Sequence, residues 1–412
     1  MPTATTFATA KQFVGIAAEA SQGTAVVPVA TIPIEKFEPE DKPVWLDDKA
    51  LRGSMVDQYG RQQGVIKTEF SMSGPVFGDT LGWLLGNILG DVAYTGGTNA
   101  GGSTTTTGAL TAGVTSVIPV TSAAGISPGT VLAIDTAGLL ELVTVLSVVT
   151  LNVTITKPVA KSHLTAATVQ PVTANFTSAF STLNSGQGQP TSHTITHFQG
   201  PVASVGARAY PGCCFSEVGL KWNAESQLFN YDAKGLSWPS VIAGSQPTSA
   251  PSTVTPLPSW RGQLGIGGVA GGGTLVKTIT EGEVTIKREL DAVFTTQLAQ
   301  VPYIIQRGAV SIDGKLKFVA ADESPYLAMI NNTQPQFQLV LGNGLAGANL
   351  VQVQVDCQLA SYDTSKLDFG KNAVMYDVVF SGIGNTTNAG ISGGYSPAKV
   401  TLTNAVPPQT YV

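Results

Sequence analysis

Two histidines, His193 and His197, stand four residues apart in the segment SHTITHF. On a helix that spacing would put both imidazoles on one face, where they could ligate a metal. The intervening Thr194, Ile195 and Thr196 favour a strand, and no suitable third ligand lies nearby, so the pair reads as solvated or hydrogen-bonded histidines. GNGLAG, from Gly342 to Gly347, has the letters of a dinucleotide-binding turn, but it joins one strand-like run, Phe337 to Leu341, to another, ANLVQVQVD. With no helix N-terminus to receive a pyrophosphate, it reads as a hairpin loop. LGIGGVAGGG, from Leu264 to Gly273, reads as a glycine connector. The three cysteines, with Cys213 and Cys214 adjacent, make no disulfide framework and read as reduced, buried thiols. A nucleophile elbow, a His-Glu-x-x-His helix and a Walker loop are all missing from the sequence. With only three histidines, acid–base catalysis has few candidates. The chain reads as no enzyme, with no cofactor and no metal.

The elements that would position any site follow from composition and patterning. Of 412 residues, 43% are hydrophobic, so the chain can build cores, yet only 12% are charged, against roughly 25% in ordinary soluble domains. Such sparse charge suits a subunit that hides much of its surface against copies of itself. The net charge of -5 and a pI near 5.3 argue against a sequence-reading nucleic-acid binder, which needs a basic stripe. The opening MPTATTFATAKQF lacks the pattern of a secretory signal. Val131 to Ile155, the most apolar stretch, is interrupted by Asp135, Glu141 and Asn152 and reads as strands, so no membrane segment is expected.

The chain carries a duplication. In GVIKTEFSMSGPVFGDTLGWLLGNIL, from Gly64, Ile66, Thr68, Phe70 and Met72 alternate with polar residues, and Asp79 then caps a short helix with Leu81, Leu84, Leu85 and Ile88 on one face. In GAVSIDGKLKFVAADESPYLAMI, from Gly308, Val310, Ile312, Leu316 and Phe318 alternate likewise. Ser324 caps, and Tyr326, Met329 and Ile330 form the apolar face. The hairpin LKWNAESQLFNYDAKG, from Leu220, has a partner of equal length in LDFGKNAVMYDVVFSG, from Leu367, at a constant displacement of 147 residues. The expected fold is mainly β: two tandem β-sandwiches, each with one short flanking helix, plus a small inserted all-β module. Residues 1–94 and 176–238 make the first sandwich, 95–175 the insert and 239–258 a Pro/Ser/Thr-rich linker. Residues 259–385 make the second sandwich and 386–412 a Gly/Pro-rich C-terminal tail.

Several strings resemble the tail tube proteins of long-tailed, siphophage-type bacteriophages, particularly those infecting actinobacteria. They are FVGIAAEASQGTAVVP (Phe13 to Pro28), KPVWLDDKALRGSMVDQYGRQQG (Lys42 to Gly64), GPVFGDTLGWLLGNILGD (Gly74 to Asp91) and GARAYPGCCFSEVGLKWNAESQLFNYDAKGLSW (Gly206 to Trp238). The resemblance covers 13–94 and 190–238 well and the second half through fold pattern. It implies a structural subunit of the virion tail, assembled in the host cytoplasm, whose sheets join edge to edge around a channel for viral DNA that is not bound sequence-specifically. Its partners would be itself, in stacked rings, and the tape measure, tail terminator and distal tail proteins. A long loop would reach the next ring. Lys36 to Gly64 is the candidate, with Trp45, Arg52, Met55 and Tyr59 of types enriched at interface hot spots. The same residues could instead pack on the subunit's own sandwich. Two sandwiches per chain imply a trimeric ring of six-fold appearance; a decorating second half would leave a hexamer. A capsid decoration protein, the tube subunit of a contractile injection device and a carbohydrate-binding β-module are the alternatives.

Overall fold

A computed structural model describes residues 9–411 apart from 97–102, 136–140, 157, 160, 173–174, 200–206, 226, 244–251, 253, 272–273, 371–372 and 407–410. The chain begins with β1 (Phe13–Ala18), β2 (Ala30–Ile32), β3 (Lys36–Asp48), β4 (Gly60–Pro75), α1 (Leu81–Ile88) and β5 (Gly90–Gly96). The insert holds β6 (Thr104–Thr105), β7 (Val117–Pro119), β8 (Val131–Ile134), β9 (Glu141–Val149), β10 (Asn152–Ile155) and β11 (Thr168–Val172). The first half resumes with β12 (Phe176–Thr182), β13 (His193–Phe198), β14 (Arg208–Asn223), β15 (Asn230–Ser237) and β16 (Val241–Ile242). The second half runs β17 (Gln263–Ile266), β18 (Leu275–Val276), β19 (Ile279–Val293), β20 (Ile304–Val319), α2 (Ser324–Ile330), β21 (Phe337–Gly342), β22 (Gln352–Cys357), β23 (Ala360–Asp368), β24 (Met375–Gly382) and β25 (Lys399–Asn404).

Eight strands run as one continuous antiparallel sheet, ordered β3-β4-β15-β14-β19-β20-β24-β23, and the first part of β14 also pairs with β16 and with β13, which leads on to β1 and β2, so that twelve strands are joined in all. Of the eight, four come from each half, in corresponding order. The duplication extends to irregularities that hydrophobic patterning does not specify. The β3–β4 ladder slips between Pro43 and Trp45, and the β19–β20 ladder slips 245 residues later, between Arg288 and Leu290. The β14–β15 ladder slips between Phe215 and Glu217, and the β23–β24 ladder between Tyr362 and Thr364, a displacement of 147. Bulges re-aim side chains and fix twist, so their coincidence marks one backbone design used twice. A packing pair is conserved with its members exchanged. Phe70 on β4 lies over Gly235 on β15, where a Cβ would fall 2.6 Å from the ring; on β20 and β24 the glycine is Gly314 and the ring Phe380, at 2.1 Å. The closing hairpins differ from expectation in one respect. The 147 displacement holds for β14 and β23, but Tyr231–Asp232 aligns with Tyr376–Asp377, a displacement of 145, so the second turn is two residues shorter.

Behind this sheet lies a seven-stranded one, β18-β17-β21-β22-β25-β12-β5. It corrects the expected tail at 386–412. β25 sits between β22 and β12, with Val400 and Leu402 fully buried, and thus joins the halves. Beyond it Tyr411 is buried against Trp83 and Phe180 and donates its hydroxyl to Asp79 O at 2.9 Å. The Gly/Pro-rich surroundings hid the short alternation KVTLTN. The linker at 239–258 is likewise partly docked: Val241 and Ile242 pair with β14, and Leu257 is fully buried. Its middle, 244–251, lies outside the described residues. A single buried cluster runs through both halves, from Val14 to Tyr411.

The helices start one residue away from the expected caps. Thr80, not Asp79, precedes α1, and Asp79 Oδ2 accepts a bond from Ser252 Oγ at 2.7 Å. Ser324 is already helical in α2, behind Glu323, with Pro325 in the first turn.

The insert has its own core, including Leu110, Ile118, Leu132, Val153 and Val169. Its sheet runs β6-β11-β8-β9-β10-β7, and the Thr106–Val120 bridge beside β6 and β7 closes it into a small barrel.

Candidate assembly edges and charged face

Within the eight-stranded sheet the halves meet at an internal seam, β14 against β19. Its inward pairs are Val218–Ile286, Leu220–Val284 and Trp222–Gly282. Leu220 and Trp222 are 0% and 4% exposed. The seam requires Gly282, because a Cβ there would fall 2.3 Å from the Trp222 ring. Among the described residues the outer edges, β3 and β23, each have one partner strand, β4 and β24. By the 147 displacement Leu220 corresponds to Leu367 and Trp222 to Phe369, which are 45% and 72% exposed. The helices differ in the same way. Every residue of α1 is buried and none of α2 is, with Tyr326, Leu327 and Ile330 exposed.

Two arginines of the second half latch the internal seam. Arg288 on β19 donates to Ile88 O at the end of α1 (2.9 Å), to Gly188 O (2.5 Å) and to Gly308 O (2.9 Å). Arg307 on β20 donates to Asn87 O (3.2 Å), Pro190 O (2.5 Å) and the Cys214 sulfur (3.0 Å). These are cations placed at the negative end of a helix dipole. Burial, and then the charge of Arg307, lower the Arg288 pKa to about 10. Their counterparts in the first half are Pro43 and Gln63. Asn87 completes the latch. Its Nδ2 donates to His193 Nδ1 (2.7 Å) and Cys213 O (2.8 Å), and its Oδ1 accepts from Phe215 N (2.9 Å).

One face of the sheet concentrates charge. Cross-strand partners project to the same side, so rows can be followed across it. One row reads Glu38, Ser71, Lys234, Glu217, Lys287, Ser311; another ends Asn223, Glu281, Lys317, Asp377, Lys366. The paired rows gather nine lysines and ten carboxylates, from 22 basic and 27 acidic residues in the chain, and no arginine. The lysines are paired as Lys36–Glu38, Lys42–Glu69, Lys221–Asp232, Lys234–Glu217, Lys287–Asp313 and Lys317–Asp368, among others. Glu69 holds the Lys42 pKa above the ordinary lysine value, Asp232 that of Lys221, Asp313 that of Lys287, and Asp368 with Asp377 that of Lys317.

The expected inter-ring residues cluster at the β3–β4 hairpin tip. Trp45 is 50% exposed, with the Arg61 guanidinium 5.5 Å over its ring. Arg52 pairs with Asp48 and stacks over Tyr59 at 4.9 Å. Met55 is fully exposed, and Leu51, Val56 and Leu46 are exposed beside it. The tip therefore does not pack on the subunit's own core.

His193 and His197 lie on β13, roughly 13 Å apart at strand rise, too far to share a metal. Burial, reinforced by the charge of Arg307, lowers the His193 pKa to about 3; burial lowers that of His197. Among the described residues no group of three or more His, Cys, Asp or Glu side chains is arranged to hold a metal. GNGLAG connects β21 to β22, and Asn343 closes the loop through its bonds to Asn349, Leu345 and Val351. Cys213, Cys214 and Cys357 are buried free thiols. Among the described residues no helix is long and apolar enough to cross a membrane.

Three organising residues escaped sequence reasoning. Glu19 is buried and accepts bonds from Ser192 Oγ (2.7 Å), Thr194 Oγ1 (2.6 Å), Gly212 N (2.7 Å) and Gly23 N (3.0 Å), tying β1, β13 and β14 together. The signal was a lone carboxylate inside an apolar strand end, FVGIAAEA. Arg288 and Arg307 carried a weaker signal, since both stand in alternating strands at positions where the first half has no cation.

The profile of a family described as phage tail tube protein matches residues 9–398. No curated protein matches the chain.

Proposed function

Because the chain belongs to the phage tail tube protein family, we propose that it is the repeating subunit of a tail tube, closing into stacked rings around a channel that delivers DNA. The observation that carries this reading is the eight-stranded sheet, built from two matching quartets and left open at β3 and β23. An open, twisted sheet with two unpaired edges is a hazard for a free protein and a closure device for a ring subunit. Three chains supply six quartets, so the ring is a trimer of six-fold appearance. The charged face then lines the channel. Its lysines are mostly held by carboxylates, which leaves few cations to retain passing phosphate. The hairpin tip with Trp45, Arg52, Met55 and Tyr59 reaches the adjacent ring, and the inserted barrel projects outside. The subunit's place is the virion tail after assembly in the host cytoplasm, with the tape measure, tail terminator and distal tail proteins as neighbours. Electron microscopy of concentrated protein tests the reading: rings or tubes are expected, and persistent monomers across salt and concentration would overturn it. A symmetry-free reconstruction should show three inserted barrels per ring. Six would replace the trimer by a hexamer.

A further inference from the structure

We infer that the internal seam is a template for the seam between copies, and that it fixes the register: β23 of one chain pairs with β3 of a second copy so that Lys366 faces Glu40, Leu367 faces Pro39 and Phe369 faces Phe37. This rests on the tube reading and adds the residue pairing. Two displacements carry it. β14 maps onto β23 at 147 residues and β19 onto β3 at 245, each pinned by a bulge occupying the same place in both copies. Transferring the observed pairs Gly219–Thr285, Leu220–Val284 and Trp222–Gly282 through those displacements gives the three pairs named.

Independent observations fit the transferred register. Leu367 and Phe369 are exposed where their counterparts are buried. Lys366 makes no ion pair among the described residues, and Glu40, 3.5 Å from Lys42, keeps a side chain 72% exposed, so the register offers Lys366 an opposite charge across the ladder. The buried Ser365 Oγ has no hydrogen-bond partner among the described residues, and the register places it opposite Asp41 of the second copy. A slip of one residue would turn Leu367 and Phe369 onto the charged face. The copied seam also lacks the arginine latch, because Pro43 and Gln63 stand where Arg288 and Arg307 would be. It is therefore the seam at which the ring opens.

Paired cysteines test the register. In the assembled full chain, Lys366→Cys with Glu40→Cys should cross-link between chains through a short bifunctional thiol reagent, giving a covalent ladder that ends at the closed ring. Gly219→Cys with Thr285→Cys, the corresponding internal pair, calibrates the reagent's reach within one chain. Rings that cross-link instead through Lys366→Cys with Glu38→Cys, or through neither pair, would overturn the register while leaving the tube reading intact; a wild-type protein that forms no rings at all would overturn both. Should the cysteine pair hinder assembly, charge reversal gives a second readout. Lys366→Glu should slow tube growth about fivefold, the equivalent of about 1 kcal/mol per seam, and adding Glu40→Lys should restore it. A folded double variant that stays as slow as Lys366→Glu would overturn the pairing.

Discussion

The seam between the halves and the outer edges are the same construction in two states, one covered and one open. At the closed seam α1 is wholly buried, Trp222 covers Gly282, and two arginines reach across to the helix end. At the open edge α2 has no buried residue, and Phe369 projects where Trp222 is packed. Fold and bulges are shared, so the difference lies in what covers the edge. Apolar side chains that are core in one copy, Leu220 and Trp222, are surface in the other, as Leu367 and Phe369.

The largest effect should come from removing the seam's aromatic. Trp222→Ala in dilute protein should lower unfolding free energy by about 3–5 kcal/mol, because a large buried side chain leaves a cavity. Phe369→Ala should change it by less than about 0.5 kcal/mol while impairing ring formation. Urea denaturation of both variants checks this, and equal losses would break the comparison.

The latch comes next. Arg307→Met should cost about 3 kcal/mol, since it leaves buried carbonyls of Asn87 and Pro190 without their charged donor. Gln63→Met, at the corresponding place on β4, should stay within about 0.5 kcal/mol. A latch variant that unfolds like wild type would show that the seam is held by apolar contact alone.

How much of this was legible in the sequence depends on the length of the signal. The strand–helix units at Gly64 and Gly308, the charge-poor insert and the hairpins at Leu220 and Leu367 announced themselves through alternation over many residues. β25 did not, because six residues between Gly- and Pro-rich runs resemble a loop until β22 and β12 flank them. The seam itself was hidden because pairing β14 with β19 joins residues as far apart as Glu217 and Lys287 across a linker. The charged face was hidden too: each strand shows ordinary alternation, and only the register across eight strands gathers the lysines and carboxylates on one side. The hairpin-tip residues were recognisable by type, but Trp45 and Met55 are identical in sequence whether buried or exposed.

A third test uses pH, because the chain's three histidines all precede the second half. His193 beside the latch has its pKa lowered to about 3, by burial first and by Arg307 second. The unfolded chain, with an ordinary value near 6.5, takes up a proton that the folded one refuses. The stabilisation is therefore complete above about pH 6.5 and is lost as pH falls toward 3. By pH 5 the loss should be about 2 kcal/mol. Urea titrations of wild type and His193→Gln from pH 8 to 5 should show a slope in the first that is reduced in the second; parallel curves would place the pH sensitivity elsewhere.

The smallest effect should come from the charged face. Lys287 and Asp313 pair at 2.7 Å across β19 and β20, but both side chains are nearly half exposed, so water and salt screen the attraction. Lys287→Gln should lower monomer stability by no more than about 1 kcal/mol, and raising ionic strength to 1 M should shrink the difference, because the screening length then falls to about 3 Å. The corresponding Lys42, held by Glu69 at 2.5 Å, should tolerate the same change equally well. If these lysines serve the channel wall and not the fold, their loss should leave ring formation intact and unpair a carboxylate on the face DNA passes. A stability loss comparable to that of Arg307→Met would instead make the ion-pair lattice a structural element, and would remove the distinction between the closed seam, where charge is buried and latched, and the face, where charge is exposed and paired.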